Sequence, residues 1–531
     1  MRKILLTIIA FASVATLLAQ DNDAKVLAQR NLERALMMND SIFDAMYDQR
    51  NKKLYFYYNM ETKQRTDIVS VWEFTAALEA VNSVLEALNT VKDDMPDVYE
   101  EYYEKNVKRF ERLYNDIGYY RGTFSLASYT GRNTWSPYGV HRSNNIGGAN
   151  VAGIENVYDD QMWIIRELIR AYRITGKSAY LSRAEELTRY VLDGWDCVRN
   201  ANGEEYGGIT WGPGYTSKHA CSNSPIISPL VWLHEIYANG EANDRNGQDY
   251  YELDNNGIRV AIHKSKAEFY LDFAKKIYAW QRKTLINNAN GIYYDGIWSR
   301  TGDITTHTTD GVEYRDHVDS NANPQGTYHT YNTGTMVSAA ADLYRATGDE
   351  YYLQELETTA TKAYNFFTAS KRIGTVRYRP MITAEDRSTN PSKNGNPWFN
   401  QVLFRGFVAG APYYGSINNY LKEYQKVLDY GFDNHRWLGF LPVNLMEGWG
   451  ANDTSKCSVQ YTFSRVSEYA LLVSYYYSTL TAIRQPAVAQ QVAGSKGVYN
   501  LNGQKVAVRL LAESDVPAGV YLVNGRKVAM R

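Results

Sequence analysis

One pattern recurs in this chain and constrains its fold more than any other feature. It consists of a helix, a short turn containing Thr-Gly, and a second helix that opens with Tyr-Leu. Clear copies are LIRAYRITGKSAYLSRAEEL, from Leu168, and AADLYRATGDEYYLQELETTA, from Ala340, and a looser copy begins at Leu230. Gly176 and Gly348 suit helix C-caps, where a left-handed backbone conformation is needed. The recurrence predicts a chain built mainly from helical hairpins.

Helical hairpins with few strands stack either into an open solenoid or into a closed ring. A solenoid would show evenly spaced repeats. Here the connections vary in length, and long polar loops interrupt them at 122–156, 200–224, 299–330 and 385–400. Long loops at one end of a rigid helical ring are where a binding cleft can be built. We therefore predict an all-α fold, an (α/α) toroid, over residues 20–483.

The N-terminal residues 1–19 are typical of a signal peptide. Arg2 and Lys3 supply positive charge, a short and mostly apolar run follows, and Ala19 is small enough for a cleavage site. No later segment contains about twenty uninterrupted apolar residues, so we expect no membrane span. The sequence predicts an exported protein, located at the cell surface or outside the cell, with the periplasm left open.

The C-terminal residues 484–531 differ in pattern from the helical part. RQPAVAQQVAGSKG is typical of a linker, and two segments then alternate apolar and polar residues around Asn502-Gly503 and Asn524-Gly525. Asn-Gly between alternating segments favours a β-hairpin. This tail resembles the C-terminal sorting tails of exported bacterial proteins, and the alternative is a small accessory β module.

Composition limits the possible ligands. The formal charge of −1 provides no electrostatic case for binding nucleic acid. The 45 tyrosines and 11 tryptophans suit either a tyrosine-rich helical core or a carbohydrate site, because these rings combine an apolar face with a polar edge. The histidines show no metal-ligand spacing, so we expect no metal or cofactor, and we expect a monomer. The three cysteines fit one disulfide with a free thiol, or three isolated core residues.

Two adjacent aspartates, Asp159 and Asp160, stand in the stretch ENVYDDQMWII. Acidic residues are common in the first turn of a helix, and Asn156 as N-cap would place Asp159 in a capping-box position. The pair also ends a long loop rich in Gly, Asn and Ser, and aromatic neighbours would partly desolvate it. Two carboxylates held close cannot both ionise easily, so one can donate a proton while the other acts as a nucleophile. Glycosidases need that division of roles.

The stretch YDDQMW, followed by LIRAYRITGKSAYLSRAEEL and DGWD, resembles glycoside hydrolase family 76, the endo-α-1,6-mannanases. Further matches follow in order: GGITW, SNSP, YYDGIW, TYNTG and LYRATGDEYYL. The resemblance spans about residues 60–480. It implies an (α/α)6 barrel that binds a mannose-rich polysaccharide and cleaves its α-1,6 linkages with retention. It also implies that Asp159 is the nucleophile and Asp160 the general acid/base.

The same resemblance assigns further residues to a sugar-binding cleft: Asp295, Tyr331, Asn332, Trp72, Trp163 and Trp211. For each of them a purely structural role is the alternative: a turn aspartate, a helix start, or a core aromatic. Ile164 and Thr333 depart from the family pattern, and the insertion at 239–264 is unusual. These departures leave the substrate's fine structure open. Other readings of a toroid are a different carbohydrate-active enzyme or a non-catalytic glycan-binding protein for mannan uptake.

Overall fold

The computed structural model describes the backbone of residues 2–320, 323–382, 396–450, 453–484, 498–500, 505–507, 519–523 and 526–530, and side chains from 23 to 478 within those ranges. The described residues contain twelve α-helices: α1 (Arg2–Met46), α2 (Val71–Val91), α3 (Pro96–Asp116), α4 (Tyr158–Thr175), α5 (Ser178–Asp193), α6 (Ile227–Ala238), α7 (Lys266–Thr284), α8 (Thr330–Thr347), α9 (Glu350–Phe367), α10 (Pro397–Gly410), α11 (Ile417–His435) and α12 (Val459–Arg484).

The helices alternate between an inner and an outer ring. The inner helices α2, α4, α6, α8 and α10 contact one another in turn, and each packs on the outer helix that follows it. The sixth inner helix, α12, packs on α1, where the rings of Phe463 and Phe43 lie 5.7 Å apart. Burial agrees with this arrangement, because α4 is buried almost all round its first fourteen residues, whereas α3 is buried along one stripe. The predicted toroid is therefore confirmed as an (α/α)6 barrel.

Glycine residues set two features of the ring. Gly176 and Gly348 end α4 and α8 in the left-handed conformation, with φ of 71° and 67°, which confirms the predicted C-caps. Between α8 and α10, a Cβ on Gly334 would lie 2.5 Å from the Cα of Leu403, and one on Gly406 would lie 2.6 Å from the Gly334 carbonyl oxygen. These two inner helices can approach so closely only because both positions lack a side chain.

The connections between helices carry short strands: β1 (Tyr47–Asp48), β2 (Lys53–Tyr58), β3 (Arg65–Ile68), β4 (Phe124–Ser128), β5 (Gly131–Trp135), β6 (Lys218–His219), β7 (Gln248–Leu253), β8 (Arg259–Lys264), β9 (Ile286–Asn287), β10 (Ile292–Tyr293), β11 (Gly296–Ile297), β12 (Thr306–Thr309), β13 (Val312–Arg315), β14 (Lys371–Ile373), β15 (Val376–Tyr378) and β16 (Cys457–Ser458). The long loops are thus stiffened by hairpins, and the insertion at 239–264 forms the antiparallel pair β7–β8.

The chain divides into two compact units, 31–472 and a smaller one formed by its two ends. The smaller unit contains β17 (Val498–Asn500), β18 (Lys505–Ala507), β19 (Gly519–Val523) and β20 (Arg526–Met530). They form one antiparallel sheet in the order β18-β17-β19-β20, so the predicted hairpins are present and pair with each other. The predicted linker and both Asn-Gly turns lie outside the described residues. The signal peptide stays a prediction.

Candidate active site

The N-terminal turns of several inner helices meet at one end of the barrel and enclose a cavity of about 450 Å³. Trp72 comes from the start of α2, the aspartate pair and Trp163 from α4, Tyr331 from α8, and Trp398 from α10. Loop residues complete the wall: Ser70, Val140, His141, Ile154, Glu155, Val157, Trp211, Tyr215 and Cys221. Because helix N-termini carry partial positive charge, this end of the barrel favours anionic groups.

Both carboxylates of the pair line this one cavity. The helix begins at Tyr158, so Asp159 and Asp160 occupy its second and third positions, and Val157 stands at the N-cap. The expected capping box with Asn156 is therefore wrong. The Asn156 amide is engaged elsewhere, donating to the Tyr190 hydroxyl at 2.6 Å. The pair lies in the first turn of the helix, and neither aspartate is the N-cap residue.

Gln161, the next residue of the motif, fixes the preceding loop onto α4. Its amide oxygen accepts from the Tyr138 backbone N–H at 2.9 Å, and its amide nitrogen donates to the Tyr138 carbonyl at 2.7 Å. Tyr158 adds a second anchor, because its N–H donates to the Trp211 carbonyl at 2.8 Å. These bonds position the loop and Trp211 relative to the two aspartates.

The two carboxyl groups differ in proton affinity. Burial raises the pKa of Asp159 to about 6, opposed by the Cys221 thiol and by the backbone N–H groups at the helix start. Burial raises the pKa of Asp160 well above its ordinary value, and the nearby charges of Asp159 and Glu73 raise it further. Of the two, Asp160 holds its proton more tightly. The arrangement can present one protonated and one ionised carboxyl group to the same ligand.

Aromatic rings form most of the remaining wall. Trp398 meets Trp72 and Trp163 edge to face, with ring centroids 5.5 and 5.0 Å apart. Phe399 packs on Tyr331 at 4.5 Å. On the other side Trp211 packs on Tyr215 at 4.7 Å. Such rings suit a ligand with apolar C–H faces and a hydroxyl edge.

Three polar atoms on cavity residues are buried without a hydrogen-bond partner among the described residues. They are the Oδ1 atom of Asp159 and the indole nitrogens of Trp211 and Trp398. Buried polar groups are normally satisfied, so these atoms point to a ligand or to water that supplies donors and acceptors. One acceptor and two donors fit a polyhydroxyl ligand.

Asp295 is placed beside the cavity wall by strand pairing. Gly296 pairs with His219 across β11 and β6, and the Asp295 carboxylate lies 3.2 Å from the His219 ring nitrogen Nδ1. The other ring nitrogen contacts the Ser217 hydroxyl at 2.9 Å. The Cys221 thiol connects this group with the pair, because Asp159 and Asp295 both raise its pKa beyond the effect of burial.

The other predicted residues divide into two groups. Trp72, Trp163, Trp211 and Tyr331 line the cavity together with the pair. Asn332 does not line it. Its side chain is fully buried between the helices, although both of its polar atoms have no hydrogen-bond partner in the described part of the chain.

Sequence reasoning missed several residues of the wall. Trp398 and Phe399 lie at the start of a helix that follows a polar loop, and Asp159 has the same kind of position. That shared position could have indicated that they belong to the site. Cys221 and His219 carried no comparable signal, because only the pairing of β6 with β11 brings them to the site.

A layer of buried ion pairs lies below Trp163 inside the barrel. The Arg405 guanidinium lies 5.2 Å from the Trp163 ring and donates to Glu79 at 2.6 Å. Arg166 contacts the same carboxylate at 3.2 Å. These cations outweigh the effect of burial and lower the pKa of Glu79 to about 2. In this layer buried carboxylates have arginine partners, whereas no described arginine or lysine lines the cavity.

Among the residues that the structure describes, no group of three or more His, Cys, Asp or Glu side chains could hold a metal ion. Cys197, Cys221 and Cys457 are free and buried, which decides between the two cysteine alternatives. No described helix is long and apolar enough to cross a membrane.

The family model for glycosyl hydrolase family 76 matches residues 83–242 and 251–429, which is more than half of the chain. The chain belongs to this family. A family 76 mannosidase from Bacteroides thetaiotaomicron VPI-5482 is similar in structure, with a TM-score of 0.56 and 19% identity, over 84% of this chain and 98% of that one.

Two other solved structures are similar to this family 76 protein. One is a family 76 hydrolase from a bovine Bacteroides thetaiotaomicron strain, with a TM-score of 0.57 and 19% identity over 84% and 78% of the two chains. The other is an α-1,6-mannanase from Salegentibacter sp. HEL1_6, with a TM-score of 0.53 and 19% identity over 84% and 99%. No curated protein sequence matches the chain. Family membership makes the protein a glycoside hydrolase, and the structural likeness gives the fold.

Proposed function

We propose that this family 76 hydrolase cleaves α-1,6-mannosidic linkages in mannan backbones by a retaining double displacement. One observation carries the proposal. Two adjacent carboxylates line a single aromatic cavity, and burial together with their mutual repulsion separates their proton affinities. A retaining glycosidase needs an ionised nucleophile next to a protonated acid, and this pair supplies both near neutral pH.

In the first step Asp160 donates its proton to the glycosidic oxygen while the Asp159 carboxylate attacks the anomeric carbon. The C–O bond to the leaving sugar breaks, and a covalent glycosyl ester forms on Asp159. In the second step the Asp160 carboxylate removes a proton from water, and the resulting oxygen nucleophile displaces Asp159. The products are two sugar chains, and both carboxyl groups return to their initial states.

The surrounding groups fit this chemistry. The raised pKa of Asp160 keeps its proton available in the resting enzyme. The Cys221 thiol lowers the pKa of Asp159, which stabilises the ionised nucleophile. Trp72, Trp211 and Trp398 provide faces and N–H donors for sugar rings, and Asp295 with His219 offers polar groups next to the wall.

Relatives support the substrate and the pair. An inactive variant of the Salegentibacter α-1,6-mannanase, in which two consecutive aspartates are replaced by asparagine, forms a complex with α-1,6-mannotriose. That structure is 18% identical to this chain, with a TM-score of 0.53. Consecutive aspartates are also the distinctive feature of the cavity described here.

The proposal includes export as a monomer. The basic residues Arg2 and Lys3 and the apolar run after them support a signal peptide, and the C-terminal sheet supports a sorting or accessory role. Expression with secretion, followed by N-terminal sequencing, tests this part. Cleavage after Ala19 is expected, and a mature protein that retains Met1 would contradict it.

The decisive experiment incubates the protein with linear α-1,6-mannan and follows new reducing ends. The unmodified chain should release them, and Asp159→Asn and Asp160→Asn should each lower the rate by at least about 10²-fold, because each removes one of the two carboxyl functions. Asp40→Asn, a half-buried carboxylate on α1 that lines neither cavity, is the matched control and should keep most of the rate on the same mannan.

Full activity in either pair variant would contradict the assignment. Binding of the polymer without new reducing ends would favour a non-catalytic glycan-binding protein. Release from another glycan only would assign a different substrate to the same pair.

A further inference from the structure

A second cavity, of about 210 Å³, lies outside the catalytic one, and we call it the hairpin pocket. Its walls come from the hairpin β4–β5, the end of α5 and the hairpin β7–β8. Six of the side chains that line it are Asn133, Trp135, Asp193, Gln248, Tyr250 and Glu252. The proposed hydrolysis uses none of them.

Asp193 is the polar centre of one wall. Its Oδ1 atom accepts from the Ser128 hydroxyl at 2.9 Å and from the Asn133 amide at 3.5 Å. Its Oδ2 atom accepts from the Trp135 indole N–H at 3.3 Å. An ionised carboxylate offers about four acceptor sites, so Oδ2 retains capacity for a further donor. A carboxylate held in place beside an indole is suited to receive hydroxyl groups.

The strand β7 forms another wall. Gln248, Tyr250 and Glu252 line the pocket and are less exposed than Asp249 and Tyr251, which line it as well. Tyr250 is held by the rings of Phe269 and Phe273, with centroids 4.9 and 5.9 Å away. The pocket therefore has an aromatic residue on each of two walls, Trp135 and Tyr250, together with amide and carboxylate side chains.

Charge in the pocket is mixed. Lys276 contacts Glu205 at 3.2 Å and Glu252 at 3.4 Å, so its charge is compensated within the wall. Arg189, Asp193 and Asp249 line the same space, so both signs of charge are present there. A wall with both signs interspersed suits an uncharged polar ligand better than a polyanion.

The hairpin is also a departure from the family pattern. The two segments that match the family model are separated at 243–250, which includes the start of β7 and Tyr250. The wall that closes the pocket is thus partly formed by residues outside the match.

We propose that the hairpin pocket is an auxiliary sugar-binding site that holds one sugar residue of the polysaccharide outside the catalytic cavity. Its volume is about half that of the catalytic cavity, which suits a single ring. The ligand assignment rests on the proposed function, because the same mannan chain would reach both sites. A second attachment point raises the affinity for a long chain through effective concentration, without changing the affinity for a short one.

The test uses the full chain with Asp159→Asn and Asp160→Asn, so that the polymer stays intact. Its retardation in gels containing linear α-1,6-mannan is compared after adding Tyr250→Ala or Asn133→Ala. Each should weaken polymer affinity by about three- to tenfold, the range expected for losing one aromatic or polar contact. Tyr351→Ala is the control, because Tyr351 is 46% exposed and lines neither cavity. It should not change the retardation.

Two measurements keep the outcome clear. Thermal melting verifies that each variant is folded, and Gln248→Ala replaces Tyr250→Ala if the latter is not. In the active chain, Tyr250→Ala should raise the KM for polymer and leave kcat/KM for mannotriose unchanged. Equal retardation of the Tyr250→Ala and Tyr351→Ala proteins overturns the site.

Failure of the site and failure of the proposed function give different results. If the chain hydrolyses mannan but the Tyr250→Ala and Asn133→Ala changes leave its retardation unchanged, only the auxiliary site is contradicted. If the chain does not hydrolyse mannan but is retarded by it, and Tyr250→Ala weakens that retardation, only the catalytic assignment is contradicted. Absence of both hydrolysis and retardation overturns both.

Discussion

Two groups of buried carboxylates lie in the same barrel, and their environments have opposite effects. At the start of α4, Asp160 is 4% exposed, and burial together with the charges of Asp159 and Glu73 raises its pKa. Deeper in the barrel, Glu79 is 5% exposed but contacts two arginines, so its pKa falls to about 2. Burial is almost equal in the two places, and the partners decide the protonation state.

The comparison separates a site built for chemistry from one built for structure. A carboxylate between arginines is fixed as an anion and cannot exchange protons near neutral pH. A carboxylate beside another carboxylate, without a cation, can do so, at a cost to folding stability. Trp163 lies between the two groups, with the cavity on one side and Arg405 on the other.

The largest expected effect on stability comes from Glu79→Gln. This change leaves the charges of Arg405 and Arg166 buried without their shared partner, so the free energy of unfolding should fall by about 3–5 kcal/mol. Glu86→Gln is the matched control, because Glu86 also pairs with an arginine but is 37% exposed. It should cost no more than about 1 kcal/mol. Denaturant unfolding measures both, and equal losses would contradict the comparison.

The same chemical change at Asp160 should have the opposite sign. The folded-state pKa of Asp160 is raised, so its ionisation opposes folding as pH rises above the ordinary value. Asp160→Asn removes that penalty. Its stability relative to the unmodified chain should be similar near pH 4 and should increase toward pH 8. Melting temperatures across this range test the sign, and a variant less stable at pH 8 than at pH 4, relative to the unmodified chain, would contradict it.

The third prediction concerns activity as a function of pH. The nucleophile must be ionised, and the pKa of Asp159 is about 6. Below pH 6 the kcat/KM for mannan should therefore fall about tenfold per pH unit. Deprotonation of Asp160 should lower it again on the alkaline side. An acid limb near pH 4, the ordinary aspartate value, would show that burial does not control the pair.

The smallest effect is expected for Cys221→Ala. Loss of the thiol donor destabilises the ionised form of Asp159, so the acid limb should move to higher pH by less than about one unit. Cys221→Ser keeps a donor and should leave the limb near its original position. An identical pH profile for the alanine variant and the unmodified chain would show that the thiol does not affect the pKa of Asp159.

The sequence predicted much of this fold and part of this site. Hydrophobic periodicity and the Thr-Gly turns specify local helices and their C-caps, so the hairpins and the toroid could be predicted. The aspartate pair could be predicted as a candidate site because its two residues are adjacent in the sequence. Asn332 could not be placed, because it follows Tyr331 in the same helical turn and only Tyr331 lines the cavity. Cys221, His219 and Trp398 join the wall through contacts between distant segments, which no local pattern encodes.

The stereochemistry of the first product tests the central claim most directly. Linear α-1,6-mannan is incubated with the unmodified chain, and NMR follows the anomeric signals of the new reducing ends before mutarotation. Retention through a glycosyl ester on Asp159 predicts that the α-anomer appears first and that the β-anomer grows in later. Initial appearance of the β-anomer would show inversion and would contradict the roles assigned to Asp159 and Asp160.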